Sequence, residues 1–125
     1  MPDPTQTPAP DAADRALAGL REMTADMRGG AILDSAGEVL ACDGDAPAWK
    51  EAATALLDAA DKAGPTPVEQ VHVATEDGEV FALRASGLAA VAVTDRFVLA
   101  SLMAFDMRAA LRDLAAEGDG AGESA

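Results

Sequence analysis

The sequence is poor in the residues that build disulfides, metal centres and aromatic cores. Its 125 residues include one Cys, one His and no Tyr, and aromatic residues make up 3% of the chain. One Cys cannot form an internal disulfide, and a closed zinc site needs several Cys or His ligands. We therefore expect no disulfide, no metal site and a core built from Ala, Val, Leu and Met.

The chain is also poor in positive charge. Nine Lys and Arg residues stand against 22 Asp and Glu residues, which gives a formal net charge of -13. Nucleic-acid binding depends on clustered Lys and Arg, so this balance argues against a nucleic-acid partner. Charged residues interrupt the apolar runs before the roughly 20 residues that a membrane-spanning helix needs, so no membrane insertion is predicted.

The start of the chain lacks the features of a secretory signal. Residues 1–10 contain four Pro, without the basic and apolar stretches of such a signal. Together with the lone Cys42, this favours a cytoplasmic protein. We expect residues 1–10 to be a disordered lead-in, residues 11–117 to form one domain, and the Gly-rich residues 118–125 to be a disordered tail.

The first two helices are predicted from apolar spacing and from their end signals. Helix one begins at the N-cap residue Asp11 and stops at Gly29-Gly30. Its apolar face consists of Ala13, Ala16, Leu20, Met23 and Met27. Helix two follows Asp45 and Pro47, covers residues 48–63 and ends at Gly64-Pro65.

The last helix has a clear apolar stripe but two possible starts. The stripe consists of Leu99, Met103, Met107, Ala110 and Leu114. Asp95 fits either a helix cap or a turn that follows a strand, so the first residue of the helix stays open.

Five strands are expected in the remaining segments. Residues 31–33 and 39–41 flank a short loop that contains Gly37, which indicates a hairpin. Residues 68–75 and 80–85 alternate in polarity around a Glu76-Asp77-Gly78-Glu79 turn, whose acids are expected to be solvated or to face a basic patch on a partner. Residues 88–94 follow Ser86-Gly87 as an unbroken apolar run, typical of a strand covered on both faces.

The predicted order is α, β, β, α, β, β, β, α. It indicates an α/β (α+β) fold in which a five-stranded antiparallel sheet lies between the middle helix and the two terminal helices.

The chemistry-bearing motifs are weak. No phosphate-binding loop is present, because Arg28-Gly29-Gly30 lacks its spacing and its Lys. Asp43 and Asp45 begin like a calcium loop, but Pro47 and Trp49 stand where oxygen ligands are needed, which favours a plain helix cap. Cys42 with His72 as its base is the remaining catalytic pair, and a buried small Cys with an edge His is the more ordinary interpretation. We therefore predict no catalytic, cofactor or metal residues.

The second helix is apolar over nearly two stripes, more than packing on one sheet requires. One interpretation is a two-fold dimer interface with Trp49 as its anchor. The other is that Ala is simply a good helix former in an Ala-rich chain. The predicted interface residues are Trp49, Ala53, Leu56 and Ala60 of the helix, with Val71 and Val73 of the following strand.

Two segments resemble the roadblock (dynein light chain, longin-like) family. Residues 31–41 (AILDSAGEVLA) are similar to the opening hairpin of the family, and residues 105–110 (FDMRAA) are similar to its last helix. With the element order, the resemblance covers about residues 13–116. The last helix departs from it, because many relatives carry Leu-Gly where this chain has Leu99-Ala100.

The resemblance implies a non-enzymatic regulator or scaffold. It would form a homodimer, or a heterodimer with a related protein, and bind a small Ras-like GTPase, in bacteria often one encoded nearby. It assigns no arginine finger, and Arg84 and Arg96 are interpreted as surface residues. The alternatives are a small-ligand sensor on a profilin-like α/β sandwich and, with least support, a thiol or carboxylate enzyme.

Overall fold

The computed structural model describes residues 10–123, with side chains from residue 11 to residue 117. The helices are α1 (Pro10–Met23), α2 (Ala46–Lys62) and α3 (Ala100–Glu123). The strands are β1 (Met27–Asp34), β2 (Val39–Cys42), β3 (Gln70–Ala74), β4 (Glu79–Ala85) and β5 (Leu88–Thr94). The order of the elements is the one that the sequence predicts.

The predicted lead-in lies outside the described residues except for Pro10, with which α1 begins. At the other end, α3 extends to Glu123 and so includes most of the segment 118–125 that was expected to be disordered. The division of the chain into a lead-in, a domain and a tail stays a prediction.

The sheet has the strand order β2-β1-β5-β4-β3, and each of its four pairings is antiparallel. The prediction of a five-stranded antiparallel sheet is therefore confirmed. β5 lies in the centre between β1 and β4, and six of its seven residues are buried. This placement accounts for its unbroken apolar sequence, since a central strand covered on both faces has no solvent-facing side.

The helices cover the two faces of the sheet unequally. One apolar cluster joins α1 and α3 to Ile32, Phe81 and Ala92 on one face. A second cluster joins α2 to Ala31 and Ala82 on the other face. The predicted sandwich, with both terminal helices on one face and the middle helix on the other, is confirmed.

Two tight turns fix the hairpins as the sequence predicts. Gly37, at a φ of 87°, lies in the β1–β2 loop, where the side chain of Asp34 accepts hydrogen bonds from two backbone N–H groups. Ser86 and Gly87 have φ values of 56° and 77° and connect paired β4 and β5 as a two-residue turn. Positive φ at both central residues matches the right-handed twist of hairpin strands, and Gly adopts it at little cost.

The predicted end of the first helix at Gly29-Gly30 is wrong. α1 ends at Met23, which is exposed, and both glycines lie inside β1. A side chain at residue 30 would meet the backbone oxygen of Val91 at 2.9 Å and the side chains of Met27 and Leu17. Glycine is required here because the β5 backbone at Val91 and the Met27 and Leu17 side chains leave no room for a Cβ, not because a helix stops.

The start of α3 is settled as a turn followed by a helix. Residues 95–97 lie outside regular structure and the helix begins at Ala100, so Asp95 does not cap it. Leu99, which was predicted to be buried, is exposed because it precedes the helix. Met103, Met107 and Leu114 are buried as predicted, and Leu111 rather than Ala110 completes the inner face.

Within the described residues, no helix is both long enough and apolar enough to span a bilayer.

Replacing Gly30 tests the close approach of β5 and of the Met27 and Leu17 side chains to this position of β1. Gly30→Ala should lower the free energy of unfolding by about 1–3 kcal/mol, because the new methyl group overpacks the contact with the Val91 backbone. Gly19→Ala is the matched control, since no atom lies within 4 Å of the position of its Cβ. It should raise the stability of α1 by about 0.5–1 kcal/mol. Urea unfolding followed by circular dichroism measures both changes, and equal effects would contradict this account of Gly30.

Candidate protein interface

The catalytic pair considered from the sequence does not form within one chain. Cys42 is in β2 and His72 is in β3, and these strands are the two opposite edges of the sheet. Four strand spacings of about 4.8 Å separate them. Cys42 packs instead in the apolar cluster beneath α2, as a small half-buried residue.

Asp43 is a structural link and not part of a calcium loop. Its carboxylate accepts a 2.9 Å hydrogen bond from the backbone N–H of Gly30 and pairs with Arg21 of α1. Its carbonyl oxygen accepts a 2.6 Å hydrogen bond from Trp49 Nε1. Asp45 occupies the N-cap position of α2 without a side-chain cap bond. Among the described residues, no three His, Cys, Asp or Glu side chains are grouped to hold a metal.

The residues of α2 that were predicted to form an interface differ in exposure. Ala53 is fully buried against the sheet of its own chain. Trp49 is half-buried, with its ring packed beside Gly29 near the start of the helix. Leu56 and Ala60 are also half-buried. The helix therefore packs through its centre on its own sheet and leaves the edge of its apolar face partly open.

The strand residues predicted for the interface lie on the same face of the sheet as α2. Val71 is half-buried in the cluster beneath α2, and Val73 is 38% exposed. β3 ends the strand order, so among residues 10–123 no strand pairs with its outer edge. We name the residues Leu56, Ala60, Val71 and Val73 the β3–α2 surface, whereas Trp49 lies at the other end of α2, beside Gly29 of β1. The β3–α2 surface combines an unpaired strand edge with partly exposed apolar side chains.

A bidentate ion pair fastens the end of α2 to β4. Arg84 donates to both carboxylate oxygens of Asp61, at 2.8 and 3.0 Å, and to the carbonyl oxygen of Val68 at 3.1 Å. The bonds from Arg84 and from the Val68 N–H hold the pKa of Asp61 below its ordinary value. Arg84, which was predicted to be a surface residue, therefore has its guanidinium group occupied by contacts within its own chain.

A groove with a volume of about 610 Å³ lies between α2 and the β1–β2 and β4–β5 turns. Leu33 and Ala89 contribute apolar surface to it, and Asp58 contributes a carboxylate. The one cation among its lining residues is Arg84, which is paired with Asp61.

The environment of Glu79 differs from the one that its sequence position predicts. Glu79 was expected in a solvated acidic turn, but it is 6% exposed. One carboxylate oxygen accepts a 2.5 Å bond from His72 Nε2, and the other accepts a 3.1 Å bond from the N–H of Val98. Its position two residues before buried Phe81 was the available signal, because alternate residues of a strand share a face.

These contacts make Glu79 the junction between the sheet and the start of α3. The His72 bond, followed by the N–H groups of Val98 and Phe97, holds the pKa of Glu79 below its ordinary value despite burial. The ring of His72 stacks on Phe81 with a centroid distance of 4.4 Å. Residues of β3, β4 and the β5–α3 loop are thus connected through one ionised carboxylate.

Phe97 lies in this loop with an unusual backbone conformation. Its φ is 67°, and its side chain is 85% exposed beneath the guanidinium of Arg96. A positive φ is costly for a bulky residue and persists only where surrounding contacts hold it. The hydrogen bonds from the loop backbone to Glu79 supply that restraint.

No protein-family model and no curated protein sequence matches the chain. Among solved structures, it is similar to a Roadblock/LC7 domain from Streptomyces avermitilis, with 20% identity and a TM-score of 0.69, covering 81% of this chain and 92% of that one. It is also similar to MglB from Myxococcus xanthus, with 12% identity and a TM-score of 0.73, covering 96% and 94%.

A profilin in the "LokiProfilin2/Rabbit Actin Complex" is a further match, with 12% identity and a TM-score of 0.59, covering 81% of this chain and 93% of that one. At these identities the similarity shows the fold. The chain has the roadblock/LC7 fold that the resemblance in residues 31–41 and 105–110 predicts.

Neutralising Glu79 tests the junction and gives it a pH signature. Glu79→Gln should destabilise the protein at neutral pH, since an amide bonds less strongly to His72 and to the loop N–H groups than a carboxylate does. The lowered pKa means that the contribution of Glu79 is complete above its ordinary value of 4.5 and is lost as the pH falls through the folded-state pKa. The variant and the natural protein should therefore converge in stability in acid.

Urea unfolding at about pH 7 and about pH 3 measures this convergence. Glu76→Gln, in the same turn but exposed, is the matched control and should show little difference from the natural chain at either pH. A stability difference for Glu79→Gln that stays constant with pH would contradict the assignment.

Proposed function

We propose that the chain is a non-enzymatic, dimeric regulator or scaffold that binds a small Ras-like GTPase in the cytoplasm. The observation that carries the proposal is the β3–α2 surface on a roadblock/LC7 fold. Three of the similar solved structures are named MglB, and one of these is described as having a tetrameric arrangement. Self-association of such a fold is consistent with the surface found here.

Dimer formation follows from the chemistry of the β3 edge. An unpaired strand presents a row of N–H and C=O groups that can pair with a second strand. Antiparallel pairing of two β3 strands about a two-fold axis would bring the same residues together from both copies. Val73 and the half-buried side chains of α2 would then lose their remaining exposure.

The charge around this surface constrains its partners. Residues 34–79 contain eleven Asp and Glu residues against two Lys residues. Two such surfaces repel each other at low ionic strength, so apolar contact and strand pairing must outweigh the repulsion. The same acidity favours a GTPase that presents basic residues near the dimer.

Arg84 is unsuited to complete a GTPase active site. An arginine finger must be free to enter that site, whereas Arg84 is paired with Asp61. We therefore propose that the protein acts by positioning the GTPase, or by positioning the catalytic groups that belong to the GTPase.

A small-ligand sensor is the second candidate, and the 610 Å³ groove favours it. A ligand site needs convergent polar groups that fix the orientation of the ligand. The cation of this groove is already paired and Asp58 adds negative charge, so the groove supports the sensor less well than the β3–α2 surface supports a protein partner.

A charge on the outer edge of the sheet tests the dimer. Val73→Glu should abolish association through β3, because it adds one carboxylate from each copy to an already acidic interface. Size-exclusion chromatography with light scattering should show that the variant assembly has half the mass of the natural assembly, each mass being a multiple of the 12.6 kDa chain. Ala18→Glu adds the same charge to the exposed side of α1 and should leave the mass unchanged. An unchanged mass for Val73→Glu would reject the β3 interface.

Affinity capture tests the GTPase partner. The tagged chain is incubated with extract of its own cells in GDP or in a non-hydrolysable GTP analogue, and bound proteins are identified by mass spectrometry. We expect a Ras-like GTPase to be retained preferentially with one nucleotide, and Val73→Glu to retain less of it. Recovery of the bait alone in both nucleotides would contradict the regulatory role and would make the groove the next site to probe.

A further inference from the structure

Five of the six large apolar side chains that are exposed in the described part of the chain lie on one surface. They are Met23, Phe97, Leu99, Leu102 and Phe105, and we name this surface the α3 patch. Leu99 shares one shallow depression with Met23 and Leu102 and another with Phe97. Phe105 follows Leu102 by one helical turn. The patch is therefore continuous, and it lies on the sheet face opposite α2.

The size of the α3 patch is that of a protein interface. Phe97 and Phe105 are 85% and 67% exposed, and the three aliphatic members are each more than half exposed. Because an aromatic side chain alone offers about 150–250 Å², the five together expose on the order of 700 Å². A standard interface buries about 800 Å² on each partner, and an isolated monomer rarely exposes so large an apolar patch.

The backbone supports the same interpretation. The chain holds Phe97 at a positive φ, with Glu79 binding the adjacent backbone, and the result is an aromatic ring directed into solvent. Neither the strain nor the exposure stabilises the monomer. Strain of this kind is concentrated at functional sites.

We propose that the α3 patch binds the α3 patch of a second copy of this chain. The net charge of -13 opposes most contacts between copies, but it is distributed unevenly. Residues 96–117 contain three Arg and three acidic residues, so this segment is neutral, in contrast to residues 34–79. The α3 patch is thus a place where two copies can meet without strong repulsion.

The order of residues along α3 suits a two-fold contact between two copies. Leu102, Phe105 and the half-exposed Ala109 recur at steps of three and four along α3, the spacing with which two helices pack. Asp106 follows Phe105 directly, and Arg108 lies three residues after Phe105. In a two-fold contact, a residue pair between the copies occurs twice, once in each direction. Arg108 of each chain can therefore face Asp106 of the other chain.

This contact is separate from the β3–α2 surface and does not depend on it. The two surfaces lie on opposite faces of the sheet, so one chain can use both at once. Where the two two-fold axes meet at right angles, the two kinds of contact join four copies into one closed assembly. If the β3 interface does not form, the α3 patch alone still produces a dimer.

The assembly mass of four purified proteins tests the proposal. They are the natural chain, Phe105→Glu, Val73→Glu and the double variant, each measured by light scattering over a range of concentrations. Phe105→Glu should weaken the α3 contact at least about 30-fold, the effect of removing a central aromatic anchor. It should halve the assembly mass of the natural chain, and the double variant should be monomeric.

The outcomes separate the two interfaces. If Phe105→Glu reduces the mass while Val73→Glu does not, the α3 contact stands and the β3 contact fails. If Phe105→Glu has the mass of the natural chain at every concentration, the α3 contact is rejected, whatever Val73→Glu does. Leu102→Lys repeats the test with opposite charge, Ala18→Glu is the matched control, and circular dichroism verifies that every variant is folded.

Discussion

The structure depends on small side chains in the two central strands. Gly30, Ala31, Ala90 and Ala92 lie between helices on both faces of the sheet, and with few aromatic residues available the layers must approach closely to exclude water. This close packing buries the apolar side chains of β1, β4 and β5. β3 receives the least cover, and its residues remain mostly exposed. The edge proposed for partner binding is thus a consequence of where the core is dense.

Polar contacts hold the helix ends and loops that lie outside the apolar core. Asp61 with Arg84 fixes the end of α2, and Asp43 fixes its start through Trp49. Glu79 does the same for the beginning of α3 and maintains the strained loop at Phe97. These links hold the helices on the sheet. Apolar side chains at the β3 edge and along α3 remain exposed. The acidic chain can therefore remain folded and still offer two apolar surfaces.

The layered fold could be predicted because local signals and the global arrangement agree. The turns at Gly37 and Ser86-Gly87 fixed the hairpins, and the apolar run of β5 placed it inside the sheet. Gly29-Gly30 misled because a glycine required by packing looks the same in sequence as one that ends a helix. Leu99 was wrongly predicted to be buried, because it continues the helical spacing of α3. The helix begins only at Ala100, where the preceding loop ends. The exposure of Phe97 and the contacts of Glu79 are tertiary features, so the surfaces proposed as interfaces could be predicted only in outline.

Amide hydrogen exchange in β3 tests the central claim, that this edge binds a second strand. Exchange is measured for Gln70–Ala74 in the natural chain over a range of protein concentrations, with the amides of central β5 as the internal reference. The account predicts that the outward-pointing amides of β3 become protected as the concentration rises, while β5 is unchanged. Fast exchange in β3 at every concentration, in a protein whose β5 is protected, would contradict it.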